Sequence, residues 1–228
     1  MLSNENINVN HPNDTANKKT PLYAAIEKEN INIIKLLLSN KNIDVNQLNY
    51  NSESPLFFAV EKKNTEIVKL LLSNDKIDVN ILCKDRYSQN ETALLRAIKN
   101  DDLEIVRLLL LNKNININQV CKEYTSEYES TRSQRKGTLA TSHKGKFITF
   151  KSSEKTALFV AVELSNVSIV ELLLENDDID INVINKLYEH DSKYTTTTKL
   201  TAFDLARQKG NEKIIDIFKS KIKDNIDN

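Results

Sequence analysis

Three histidines, two cysteines and a few adjacent acids are the residues of this 228-residue chain that could hold a metal or activate a nucleophile. His11, His143 and His190 stand far apart, and none keeps a metal-ligand spacing with Cys83 or Cys121. No nucleophile, base and orienting acid recur in a recognisable order. Gly137, Gly145 and Gly210 are too dispersed to form a loop that cradles phosphate. Asp101-Asp102 and Asp177-Asp178 pair carboxylates, but at segment ends, where solvated turn residues are the ordinary outcome. The residue types therefore predict no enzyme, no metal and no cofactor, and attention moves to the elements themselves.

Lysine and arginine number 32 and so do aspartate and glutamate, so no net field draws the whole molecule to nucleic acid or a membrane. The longest apolar runs, such as Leu56–Val60 and Leu108–Leu111, fall far below the roughly 18 residues of a membrane span. No basic cluster followed by an apolar stretch opens the chain, and two cysteines without a CxxC point to a reducing compartment. The expected setting is intracellular: the cytoplasm, with the nucleus left open.

Segments of 27 residues align without gaps. TPLYAAIEKENINIIKLLLSNKNIDVN (Thr20–Asn46) matches SPLFFAVEKKNTEIVKLLLSNDKIDVN (Ser54–Asn80). Thr92–Asn118 and Thr156–Asn182 repeat the pattern, and a fifth copy begins at Thr201. Thr20, Ser54, Thr92, Thr156 and Thr201 offer hydroxyls at helix N-caps, with Pro21 and Pro55 at the first helical position. An alanine recurs at the sixth place (Ala25, Ala59, Ala97, Ala161, Ala206), where a small side chain lets a neighbouring helix approach. A polar break then leads to a second helix such as Ile33–Leu38 or Ile67–Leu72. Its apolar face is wide enough to need neighbours on both sides, which a stack supplies.

TPLYAA, SPLFFA, TALLRA, TALFVA and TAFDLA, followed by IVKLLL and IDVN, resemble the ankyrin repeat family. The resemblance implies an all-α ankyrin-repeat solenoid of stacked helix-turn-helix pairs, with β-hairpin fingers and one long inserted finger. Repeats are expected over 20–53, 54–91, 92–118 and 156–200, with the inserted finger at 119–155. A C-terminal capping repeat at 201–220, made polar by Asp204, Lys213, Asp216 and Lys219, leads into a polar tail, 221–228. Two departures stand out. The family's histidine after TPL is Tyr23, Phe57, Leu95, Phe159 or Asp204, so its bridging hydrogen bonds are expected to be absent. The glycine that ends the first helix survives only as Gly210, with Glu29, Lys63, Asp101 and Ser165 in the other copies. MLSNENINVN, within residues 1–19, matches LLSNKNIDVN at seven of ten positions and reads as the end of a unit without its first helix. It is a degenerate cap, a surface left open for another chain, or the tail of a unit that begins outside this sequence.

Connectors leave after Asn46, Asn80, Asn118 and Asn182, so they project from one edge of the stack. The 119–155 insertion is predicted to be a hairpin with arms Val120–Tyr128 and Lys146–Lys151 and a basic tip. Within residues 130–153 it has no acid but carries Arg132, Arg135, Lys136, Lys144, Lys146 and Lys151. Arg135-Lys136-Gly137-Thr138 there resembles a basophilic phosphorylation site. Connector 183–200 is predicted to pair Ile184–Tyr188 with Tyr194–Lys199 around a turn at Glu189–Ser192. Cys83 and Cys121, each three residues past a closing asparagine, are expected on adjacent fingers as free thiols.

The expected function is a scaffold or adaptor that holds an unidentified protein through the concave helix face and the fingers. The resemblance places Glu27, Lys28, Glu61, Lys62, Lys99, Asn100, Glu163 and Leu164 toward the partner. Connector residues add Arg86, Tyr87, Tyr124, Tyr128, Arg132, Arg135, Lys136, Tyr188 and Tyr194, since tyrosine and arginine dominate interface hot spots. The alternative is binding of RNA, acidic lipid or another anionic partner through the basic insertion 130–151. A monomer is expected unless the open N-terminal face associates.

Overall fold

The computed structural model describes residues 8–13, 19–84, 90–128, 148–190 and 195–227. Ten α-helices follow one another among them as five antiparallel pairs. They are α1 (Pro21–Glu27) with α2 (Ile31–Leu38), α3 (Pro55–Glu61) with α4 (Thr65–Leu72), and α5 (Ala93–Lys99) with α6 (Leu103–Leu110). α7 (Ala157–Glu163) with α8 (Val167–Leu174) and α9 (Ala202–Lys209) with α10 (Glu212–Asp227) complete the set. First helices pack on first helices in chain order and second helices on second helices, so the core runs as one column between two layers. Phe57, Phe159, Leu71 and Phe218 lie fully buried along it.

Each predicted N-cap is in place: Thr20, Ser54, Thr92, Thr156 and Thr201 accept from the amide three residues on. The second helices have caps of their own, because Asn30, Asn64, Asp102 and Asn166 accept from Ile33, Ile67, Ile105 and Ile169. Between the two helices the backbone turns left-handed at Glu29 (φ 52°), Lys63 (56°), Asp101 (56°), Ser165 (58°) and Gly210 (63°). The next amide in each case donates to the carbonyl of the recurring alanine, as Asn30 does to Ala25 at 3.0 Å and Asn166 to Ala161 at 3.0 Å. Together with Glu29 donating to Ile26, and Ser165 to Val162, this is a Schellman closure. The closure persists where glycine is lost, at a backbone cost of about 1 kcal/mol per residue.

The closing asparagines fasten one repeat to the next. Asn46 donates its side-chain amide to the Lys76 carbonyl (2.7 Å) and accepts from the Asp78 amide (2.9 Å). Asn80 does the same with Asn114 and Asn116, and Asn118 with Asp178 and Asp180. Asn10 makes the same rung, to Asn42 (2.7 Å) and Asp44 (2.8 Å), beside the buried Val9. Residues 8–10 thus act as the end of a unit that precedes the first helix pair. The helix layer of such a unit is not among the described residues, and Ile33 is 46% exposed where its counterparts Ile67, Ile105 and Ile169 are fully buried.

Six strands form a single antiparallel sheet in chain order: β1 (Cys83–Lys84), β2 (Asn90–Glu91), β3 (Cys121–Tyr128), β4 (Ile148–Lys155), β5 (Asn185–His190) and β6 (Thr195–Leu200). The separate fingers of the sequence reading are therefore joined edge to edge. Two strands run past their expected ends by two residues or more, and other bounds shift by one. β4 continues past Lys151 to Lys155, because Ser152–Lys155 pair with Cys121–Tyr124 while Ser152–Glu154 also pair with β5. Glu189 and His190, expected in a turn, belong to β5 opposite Thr196 and Thr195.

The expected loss of bridging hydrogen bonds at the histidine position is corrected at Tyr23. Its hydroxyl donates to the Glu53 carboxylate at 3.0 Å, with Asn49 donating to the same oxygen at 2.7 Å. Burial and the adjacent Glu53 charge push that phenol above its ordinary range. The Tyr23 ring also stacks on Phe58 of the next repeat, centroids 4.2 Å apart.

Candidate protein-interaction face

In three units the residue before the N-cap and the eighth residue of the unit meet at the base of the fingers. One turn of backbone and a seven-residue helix bring them together, so an opposite-charge pair closes the gap. Lys19 holds Glu27 at 2.7 Å, Glu91 holds Lys99 at 2.5 Å, and Lys155 holds Glu163 at 2.8 Å. The second unit carries Glu53 and Glu61 instead, and Glu53 turns to Tyr23 and Asn49.

In the middle of the array these pairs merge. Arg96 and Lys99 flank the fully buried Glu91, Lys99 also reaches Glu123 of β3, Glu123 reaches Lys155 of β4 at 3.2 Å, and Lys155 reaches Glu163. Signs alternate throughout this series, three cations with three anions, so each of the six has a counter-ion. Burial opposes the charge on Lys99, but Glu123 and Glu91 outweigh it and hold the ammonium above its usual pKa. Burial likewise opposes the charge on Glu123, and Lys99 and Lys155 still hold its carboxyl below the usual carboxylate range. The recess above this chain, lined by Glu123, Lys155, Glu163 and Leu187, encloses about 210 Å³, smaller than the 300 Å³ or more typical of a small-molecule site.

Of the residues predicted to meet a partner, Glu27, Lys99 and Glu163 are thus occupied inside the molecule. Asn100 caps α5 and donates to the Val60 carbonyl at 3.1 Å. Lys28 is exposed at the end of α1, Lys62 lies over the Phe58 ring at 5.5 Å, and Glu61 is half-buried. Leu164, at the end of α7, is 52% exposed. Tyr124 is exposed on β3, Tyr188 is half-buried on β5 at the same register through Ser152, and Tyr128 ends β3 opposite Ile148. Arg86, Tyr87, Arg132, Arg135, Lys136 and Tyr194 lie outside the described residues, as do the Arg135–Thr138 motif and all of the basic segment before residue 148.

A row that the sequence reading did not single out runs along the entry to the fingers. Leu48 (43%), Leu82 (43%), Val120 (38%) and Ile184 (48%) are exposed, each two residues past a closing asparagine. The following residue is buried in every case: Asn49, Cys83, Cys121 and Asn185. Asn185 accepts from the Thr156 amide at 2.7 Å, and Cys83 Sγ accepts from the Ser54 amide at 3.2 Å. The thiols are free and stand in for an asparagine acceptor, with β2 lying between β1 and β3. Burial pushes both thiol pKa values up, that of Cys121 to about 11. Cys83→Asn is accordingly expected to retain more stability than Cys83→Ala, which orphans the Ser54 amide at a cost of about 1–3 kcal/mol. Urea titrations of the two variants decide it, and the reverse order would mean that the sulfur acts by packing alone.

Among the described residues no group of three or more histidine, cysteine, aspartate or glutamate side chains could hold a metal, and no helix is long and apolar enough to cross a membrane. No curated protein matches the chain. A family profile for ankyrin repeats in three copies matches residues 1–83 and 43–121, and one for a single ankyrin repeat matches 153–186. With these matches over more than half the chain, and the paired helices, Schellman turns and finger strands in register with them, the chain belongs to the ankyrin repeat family.

Proposed function

We propose that this protein is a non-catalytic scaffold or adaptor of the cell interior that binds another protein along the finger side of the stack. The observation that carries this reading is the apolar row Leu48, Leu82, Val120 and Ile184. Solvent-facing aliphatic side chains at one offset in four successive units form a stripe, and such a stripe is a place for a protein partner to bury surface. Leu164 and Tyr124 are further large apolar side chains exposed to solvent. Strands β3 and β4 of the 119–155 insertion are tied to the third repeat through Lys99–Glu123 and to the fourth through Lys155–Glu163, so a partner seated on them is also held to the helices.

The test is the combined variant Leu82→Ser, Val120→Ser, Ile184→Ser in a capture experiment from native cells, with circular dichroism as the folding control. The expected result is unchanged helicity and loss of the captured partner by at least tenfold, since three apolar contacts of about 1 kcal/mol or more disappear together. Undiminished capture by the folded variant would sink the reading.

A further inference from the structure

The sheet has two edges, and the structure treats them differently. At the β1 edge the Lys84 amide donates to the Ser52 carbonyl at 3.2 Å, so the preceding connector covers that side. β6 is the other end of the strand order. Thr195–Lys199 are exposed throughout, and no described element pairs with the outer side of this six-residue strand. Alternate residues of an edge strand point their amide and carbonyl outward, and four threonines in succession favour the extended backbone. None of the usual devices that blunt an edge is present among these residues apart from a single lysine: there is no proline, bulge or inward-pointing charge.

That lysine indicates the occupant. One register row crosses the sheet as Lys122, Glu154, Lys186 and Lys199. Glu154 is held between Lys122 at 3.6 Å and Lys186 at 2.8 Å, so the first three charges alternate. Lys199 breaks the alternation: it stands directly opposite Lys186, and among the described residues no carboxylate pairs with it. A strand added beside β6 would continue the row, and an acid at the matching position would restore the alternation. β6 itself reads TTTTKL and has no acid, so a second copy pairing through the same strand cannot supply one. A second cation lies nearby, since Arg207 of α9 lines a groove with Leu200, Asp204 and Gln208 at the end of β6.

We infer that β6 is a docking edge for an extended acidic segment of a partner protein, which adds as a seventh strand and places a carboxylate against Lys199. Backbone hydrogen bonds along Thr196–Lys199 supply the attachment, and Lys199 selects for negative charge, since the charge of Arg207 is offset by Asp204 in the same groove. This rests on the reading of the finger side as a protein-binding side, but it uses an edge separate from the apolar row.

The probe is a labelled synthetic peptide of alternating threonine and glutamate, compared with its threonine–lysine counterpart and with a glutamate version N-methylated at alternate amides. Binding is read by fluorescence anisotropy and location by amide hydrogen exchange on the full chain. The glutamate peptide is expected to bind about tenfold more tightly than the lysine peptide, as reversal of an exposed charge pair implies. Exchange at Thr196–Lys199 should slow in the complex, and N-methylation should abolish binding. Lys199→Glu should invert the preference, while Lys41→Glu, at an exposed lysine of the first repeat, should leave it unchanged. Equal binding of both peptides, protection on another element, or indifference to Lys199→Glu would overturn the proposal. So would a dimer of the protein alone with its β6 amides already protected. The variant with serines at Leu82, Val120 and Ile184 should still bind the peptide, so failure of the row and failure of the edge are separable.

Discussion

Replacing Glu91 by alanine is expected to destabilise the protein by about 3–5 kcal/mol, the largest effect of any single charged residue in the chain. Glu91 has no exposed surface, and its carboxylate meets Arg96 at 2.8 Å and Lys99 at 2.5 Å. Removing it takes from Arg96 and Lys99 the anion that they share, while Lys99 keeps Glu123. The cost comes from the cations that lose this anion, so Glu91→Leu combined with Arg96→Met, which keeps Lys99, Glu123, Lys155 and Glu163 in balance, should recover much of the loss. Urea titration of the single and double variants checks this, and a double variant no more stable than Glu91→Ala would sink the account.

The same chain predicts a pH profile. Glu123 titrates lower in the fold than unfolded, so its contribution is full above the unfolded value of about 4.3 and fades as pH falls through the lower folded value. Lys99 titrates higher in the fold, so its contribution is full below about 10.4 and is lost as pH rises through the raised value. Stability contributed by the pair should therefore hold a plateau between those limits. In Glu91→Ala the alkaline loss should shrink, because one of the carboxylates that raises Lys99 is gone.

Leu71→Ala is expected to cost about 2–5 kcal/mol. Leu71 is fully buried in α4, between neighbours before and behind in the column, and truncation leaves a cavity that helices fixed at both ends cannot close. Leu36→Ala supplies an internal control: its side chain, in α2, is 51% exposed, so the loss there should stay near half a kilocalorie. Equal losses at the two positions would contradict the burial of Leu71 against the exposure of Leu36. In a stacked array the damage at Leu71 also weakens coupling between the repeats on either side, so its transition should broaden as well as shift.

What the amino-acid sequence determined by itself is the repeating unit. Caps, first-turn prolines, the recurring alanine and the apolar spacing of helices such as Ile67–Leu72 act within one turn or one helix, and their signals lie close together in the chain. The complementary signs of Lys19 and Glu27, Glu91 and Lys99, and Lys155 and Glu163, eight residues apart, were equally present, but only the folded turn shows that these positions touch. Glu29, Lys63, Asp101 and Ser165 stand at the hinge where the family has glycine. The Schellman hydrogen bonds outweigh a backbone strain of about 1 kcal/mol, so the hinge is kept. Contacts between units were decided by the tertiary structure alone. An asparagine after IDV carries no local mark of the carbonyl it will meet thirty or more residues later, as Asn46 meets Lys76. Tyr23 could not be seen to replace a histidine bridge until Glu53 lay above it, and Ile33 differs from Ile67 only in what stacks against it. The strands from three connectors merge into one sheet because stacking brings their edges within hydrogen-bonding distance, and that same stacking leaves β6 as the uncovered edge.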